Sequence, residues 1–222
     1  MTGLSLQQHP VGCWIAFFPF ESEYYAYKGI TAMPVDVSKK MFTVDDYYRM
    51  AEVGILGPED RVELIDGEII QMSPIGDRHA ICVLRATHLF TDLLRGRALV
   101  NVQNPLRLSN YTEPEPDLVL LKPRADFYAA KKIRPEDALL VVEVSDTTLR
   151  YDRKVKTPRY AAAGVPEVWI VNLERDELLV YHNPSTDGYS TSLTLHRGDT
   201  LSPTAFPDVA FKVDDLLGPA PG

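Results

Sequence analysis

Cysteine is nearly absent from this sequence: Cys13 and Cys82 are the only two in 222 residues. Two thiols make no disulfide framework, so the fold must rest on a packed core and not on covalent staples. Long hydrophobic runs are missing as well. The longest, residues 11–20, is about ten residues long and contains Pro19, against the roughly 20 that a membrane helix needs. It has neither a basic flank nor a small-residue cleavage site, so no secretory leader is expected. Positive charge is also in deficit, with 23 Lys and Arg against 31 Asp and Glu and a formal net charge of −8. That excludes a protein that coats nucleic acid through a broad positive field, but not an enzyme with a local basic patch. Two such patches exist: Arg150, Arg153, Lys154, Lys156 and Arg159 stand against Asp152 alone, and Lys131, Lys132 and Arg134 lie close together. Taken alone, clusters of this kind are ordinarily solvated helix faces. Internal repeats and low-complexity tracts are lacking too. What remains is one globular domain of ordinary size, 45% hydrophobic, suited to a reducing cytoplasm.

Residues 1–40 differ from the rest, with aromatics of no clear periodicity, and read as a loosely attached extension; residues 41–218 read as the domain. Thr43-Val44-Asp45-Asp46 predicts an N-cap and a short helix to about Val53. Asp66-Gly67 between Arg61–Ile65 and Glu68–Met72 is a strong hairpin signal with a tight turn. From Asp77 to Arg95 the residues Ile81, Leu84, His88, Leu89 and Leu93 recur at helical spacing, closed by Gly96. Cys82, within that helix, reads as a plain buried thiol. Strands are expected at about 98–108, 116–121 and 139–145, a helix at 149–163, and a strand at 167–171. A polar meander follows, with strands at 177–182, 189–196 and near 209–213. A helix between the strands at 139–145 and 167–171 requires that pair to be parallel. The fold class is therefore α/β, a mixed sheet flanked by helices, with an N-terminal helix and a β-hairpin.

One residue in this pattern is out of place. Ala138-Leu139-Leu140-Val141-Val142-Glu143-Val144-Ser145 reads as a strand buried on both faces, and it contains an isolated Glu. A carboxylate there must shift its pKa, find a partner or hold a metal ion. A second acid, Asp117, begins the apolar run Leu118–Leu121. If these two strands are neighbours, Asp117 and Glu143 share one face. Two carboxylates that close favour a hard cation between them, such as Mg²⁺ or Mn²⁺. Such a metal polarises a phosphate and lowers the pKa of a bound water, and a nearby Lys stabilises the transition state. Lys156, two turns into the helix expected at 149–163, has the reach for that task. Each residue also has a plainer reading. Asp117 can simply start a strand, Glu143 can pair structurally with Lys156 or Arg159, and Lys156 can be an ordinary helix lysine. Glu63, just before the Asp-Gly turn, is a candidate for contact with metal or water. His79 is a candidate for the site's edge or for a local helix cap, and Asp152 for a helix-start partner.

These residues together form a known pattern. Pro116-Asp117, Glu143-Val144-Ser145, Asp152-x-x-x-Lys156-x-x-x-Tyr160 and Gly164-Val165-Pro166-Glu167-Val168-Trp169-Ile170-Val171 closely resemble the Uma2 family, also called DUF820. Glu63–Glu68 and Ser73-Pro74 before His79 are similar to that family too, and the likeness runs from about Phe42 to Leu217. The resemblance implies a restriction-endonuclease-like fold of the PD-(D/E)XK superfamily and a Mg²⁺- or Mn²⁺-dependent endonuclease acting on DNA. It implies Asp117 and Glu143 as metal ligands and Lys156 as the assisting cation, with Glu63 and His79 at the site. One departure stands out: Ser145 occupies the place where the superfamily motif carries its Lys, so the role falls to Lys156 on the next helix. The basic face of that helix, with Lys131 and Lys132, is expected to meet phosphates. A homodimer is expected if both strands are cut. The competing readings are a catalytically silent nuclease-fold module that binds nucleic acid or protein, and a phosphoesterase acting on a smaller substrate; fold alone does not choose between them.

Overall fold

Apolar strands that bury both faces need a layer of helix on each side, and the chain supplies both. The computed structural model describes residues 38–220, and those from Lys40 onward form one compact unit. The extension expected over residues 1–40 lies almost wholly outside the described residues. The central strand β5 (Ala138–Ser145) pairs antiparallel with β4 (Leu118–Leu121) and parallel with β6 (Glu167–Asn172). With β3 (Leu99–Val102), β7 (Glu177–Ser185) and β8 (Gly188–His196) they form a six-stranded mixed sheet in the order β3-β4-β5-β6-β7-β8. Alternation along β5 sends Leu140, Val142 and Val144 into one core and Val141 into the other.

The first core lies under α2 (Asp77–Leu93) and the short C-terminal helix α5 (Val213–Leu217). Phe90, Trp169 and Phe211 meet there with ring centroids 5.0 to 5.9 Å apart. The second core is covered by the helix after β5, through the fully buried Tyr160. That helix is a continuous run with a wide turn inside it: α3 (Leu149–Tyr151), a π-helical turn over Asp152–Lys156, then α4 (Thr157–Ala162). Pro158 explains the wide turn, because it has no N–H for the carbonyl four residues back and its ring crowds that carbonyl. The amide and hydroxyl of Thr157 both bond the Asp152 carbonyl instead.

Ahead of the sheet, α1 (Val44–Glu52) starts at a Thr43–Asp46 capping box. The hairpin of β1 (Val62–Ile65) and β2 (Glu68–Gln71) forms a separate two-stranded sheet. Its turn places Asp66 and Gly67 at φ 50° and 75°, the primed geometry that Asp-Gly favours. Gly67 is needed twice over, since a Cβ there would lie 2.8 Å from Met41 Cβ. A final pair, β9 (Thr200–Leu201) with β10 (Phe211–Lys212), packs beside α5.

Three expectations need correction. The buried stripe of α2 is Cys82, Val83, Ala86 and Phe90, whereas Ile81 and Leu84 are more than half exposed. Small residues lie under close sheet contact, so the apolar spacing of the larger ones was misleading. The strand expected to 108 ends at Val102, because Gln103 turns to φ 48°. Residues 106–114 instead fold back on themselves, with Leu106 N donating to Pro114 O and Leu108 N to Thr112 O. The strand expected near 209–213 gives way at Val213 to α5, a helix with no sequence forewarning.

Candidate active site

Side chains from five segments converge where the C-terminal end of β5 meets the hairpin and the helix that follows. The β4–β5 register pairs Leu118 with Val142, so Asp117 arrives beside Glu143. The bonds between the two segments are reciprocal. Val144 N donates to Asp117 Oδ2 at 2.8 Å, and Asp117 N donates to Glu143 Oε2 at 3.4 Å. Asp117 also meets His79 Nε2, on the first turn of α2, at 3.0 Å and the Gln103 amide at 3.3 Å. Neither acid is paired to an Arg.

Glu143 is almost completely buried and lies 2.9 Å from the Lys156 ammonium through Oε1. The same oxygen accepts the Tyr160 hydroxyl at 2.6 Å. Lys156 reaches a second carboxylate, Glu63 Oε2 on β1, at 3.5 Å. Glu63 is itself fully occupied: Tyr151 OH donates to Oε1 at 2.9 Å and the Glu115 amide to Oε2 at 3.1 Å. The wide turn after α3 sets these positions, since Tyr151 precedes it, Lys156 closes it, and both reach the same hairpin acid. Asp152, also buried, accepts the Ser145 and Thr148 hydroxyls at 2.7 and 2.6 Å. Ser145, where the superfamily motif carries Lys, is therefore an anchor for the helix start.

Electrostatics follow from one ammonium among several buried acids. Burial alone would lower the Lys156 pKa, but Glu143, Glu63 and Asp152 outweigh it and raise it, so the lysine stays charged. Burial pushes Glu143 up to about 8 even against the pull of Lys156, with Asp152 and Asp117 adding to the rise. Burial likewise raises Asp152. For His79, burial works downward, but the bond and charge of Asp117 prevail and raise it. Its Nδ1 is buried without a hydrogen-bond partner among the described residues.

All five candidate residues, Asp117, Glu143, Lys156, Glu63 and His79, border one cavity of about 740 Å³. The expected phosphate-facing cations divide differently from the sequence reading. Lys131 is bound to Asp137 at 2.9 Å and Lys132 lies over the Tyr48 ring, so neither borders the cavity. Arg150 and Lys154, from the basic helix, do border it. Gln103 and Tyr151 are site residues that pattern reasoning passed over. Gln103 was hidden inside an overlong strand. Tyr151 lies five residues from Lys156, a spacing that shares a face in a wide turn and not in an α-helix. Among the described residues no group of three or more His, Cys, Asp or Glu has metal-binding spacing.

A six-stranded mixed sheet flanked by helices, with acids where the central strands meet, defines a restriction-endonuclease-like fold. The family model of Uma2, described as "Putative restriction endonuclease", matches residues 44–214, and the chain belongs to that family. Among solved structures it is similar to a "putative nuclease belonging to DUF820" from Anabaena variabilis ATCC 29413. That match has a TM-score of 0.61 and 14% identity, covering 79% of this chain and 97% of the other. A weaker similarity, TM-score 0.33 at 14% identity over 53% of this chain and 14% of the other, is to the type IIG restriction endonuclease BpuSI. No curated protein matches the chain.

Proposed function

We propose that the protein is a metal-dependent endonuclease that hydrolyses phosphodiester bonds of DNA. The observation that carries this reading is the pairing of Asp117 and Glu143 at one cavity with a buried, charged lysine 2.9 Å from Glu143. The donor chemistry fits a hard cation. Among the described residues Asp117 Oδ1 has only a long 3.3 Å contact with Gln103, and Glu143 Oε2 only a 3.4 Å contact with the Asp117 amide. Mg²⁺ is ordinarily held by one or two carboxylates, with waters and substrate phosphates filling its shell, so two acids suffice. Asp117 and Glu143 would hold Mg²⁺ or Mn²⁺, which would supply Lewis-acid polarisation of the phosphate and a more acidic bound water.

The chain's own residues do the rest. Lys156 keeps its proton, so it acts as a fixed positive charge facing the negative charge that grows on the phosphate. Glu63 positions that ammonium, and Tyr151 and the Glu115 amide hold Glu63 in turn. His79 and Gln103 orient Asp117. Arg150 and Lys154 offer cations to the substrate backbone. The nuclease domain spans residues 41–218, with residues 1–40 as an extension, and a homodimer would supply the two sites that cutting both strands requires. The buried free thiol of Cys82 suits a reducing cytoplasm, and no described helix is long and apolar enough to cross a membrane.

The test is plasmid nicking by purified protein with Mg²⁺ or Mn²⁺. Asp117→Asn, Glu143→Gln and Lys156→Met are each expected to abolish nicking while the chain stays folded by circular dichroism. Calorimetric metal binding with no cleavage of any nucleic acid would instead identify a binding module.

A further inference from the structure

The cavity is lined by two unlike sets of residues. Its lining combines acids and Lys156 with a contiguous apolar stretch, Ile70, Met72, Pro74 and Ile75, running from β2 into the loop before α2. At about 740 Å³ it has the size of pockets that take a small ligand, such as a single nucleotide. The acids lie deep: the side chains of Asp117 and Glu143 are 12% and 3% exposed. A phosphate that reaches them brings its sugar and base into the same cavity, beside the apolar residues that line it. In paired DNA the base is stacked and the opposite strand comes with it, whereas an unpaired base enters freely and covers apolar surface.

The cations agree with the shape. Arg61, Arg150 and Lys154 border the cavity, and none of them pairs with a carboxylate among the described residues. Nearby positive charges are already engaged, Arg159 with Asp66, Arg153 with Tyr181 and Lys131 with Asp137. Three cations not paired with a carboxylate among the described residues make a short backbone track, not the long one that a duplex footprint uses. We propose that the strand cut at this site is unpaired DNA, its base on the Ile70–Ile75 stretch and its phosphates on Arg61, Arg150 and Lys154. The assignment rests on the nuclease reading for the cutting step, but strand preference is a binding property that can be read without metal.

The experiment uses the full chain in chelator with three fluorescent DNAs of one sequence: single-stranded, fully paired, and paired with a central unpaired bubble. The single strand and the bubble are expected to bind at least about tenfold more tightly than the paired duplex. The log–log salt slope for the single strand is expected near −2, from about −0.7 for each of three phosphate contacts. Ile75→Asp, at an exposed position, is expected to lose about tenfold in single-strand affinity with unchanged thermal unfolding. Equal or tighter binding to the paired duplex, or a slope of about −5 or steeper, overturns the inference. A parallel cleavage assay with Mg²⁺ separates the two claims. Preference for the single strand with no cutting of any substrate refutes the hydrolase alone, and rapid cutting of paired DNA without that preference refutes the strand assignment alone.

Discussion

Lys156→Met removes the buried ammonium that pairs with two acids of the site and tests the electrostatic reading directly. Lys156 lies 2.9 Å from Glu143 and 3.5 Å from Glu63. At an effective dielectric of ~20 those separations correspond to about 6 and about 5 kcal/mol of gross attraction. Desolvation of the buried ions offsets most of it, so the cost of leaving the acids unpaired is about 3–5 kcal/mol. That is a large share of the roughly 5–15 kcal/mol that stabilises a domain. Urea unfolding in chelator at pH 9, above the value of about 8 to which burial pushes Glu143, measures it. The loss should shrink at pH 5–6, where the stranded carboxyls take up protons. Adding Glu143→Gln removes one of the orphaned charges, so the double variant should recover about 1–3 kcal/mol relative to the sum of the singles. Additive losses, or a Lys156→Met cost below about 1 kcal/mol, would show that the lysine is not what makes the acids tolerable.

Two further outcomes follow from other parts of the site. Glu143 is pushed by burial from its ordinary 4.5 up to about 8. It therefore holds a proton in the folded, metal-free chain that the unfolded chain has already released. Its contribution to stability is complete below about pH 4.5 and is lost as pH rises through about 8. Glu143→Gln should flatten this fall in a denaturation series, and an unaltered profile would place the proton elsewhere. Gly67→Ala puts a methyl at φ 75° and 2.8 Å from Met41 Cβ, a combination worth about 2–4 kcal/mol from backbone strain and crowding. Calorimetric melting should show that loss together with a fall in activity, because the same hairpin carries Glu63. Wild-type stability in Gly67→Ala would mean that the turn is loosely held.

The centre of the sheet was readable because buried parallel strands leave an unbroken apolar string, and Glu143 is conspicuous within one. Asp117 and Lys156 followed from alternation and helical reach. Gln103 did not, because a left-handed turn at a Gln carries no local signal of the kind that Gly or Asn provides. The face of α2 was misassigned because burial there falls on Cys82 and Ala86, small side chains that periodicity weighs lightly. The wide turn at Asp152–Lys156 did have a sequence mark in Pro158, which forbids the bond an unbroken helix needs. The two tyrosines that hold Glu63 and Glu143 depend on tertiary approach, so spacing alone could not reveal their partners.

The segment Glu113-Pro114-Glu115-Pro116-Asp117 has a consequence for alignment. Its remaining amides point at Leu64 O, at Glu63 and at Glu143 in succession. Every second nitrogen is a proline and carries no hydrogen. A slip by one residue would turn those bare nitrogens toward two buried acids and cost each of them its backbone amide donor. The alternating prolines thus act as a ratchet tooth, allowing the strand to seat in one phase only.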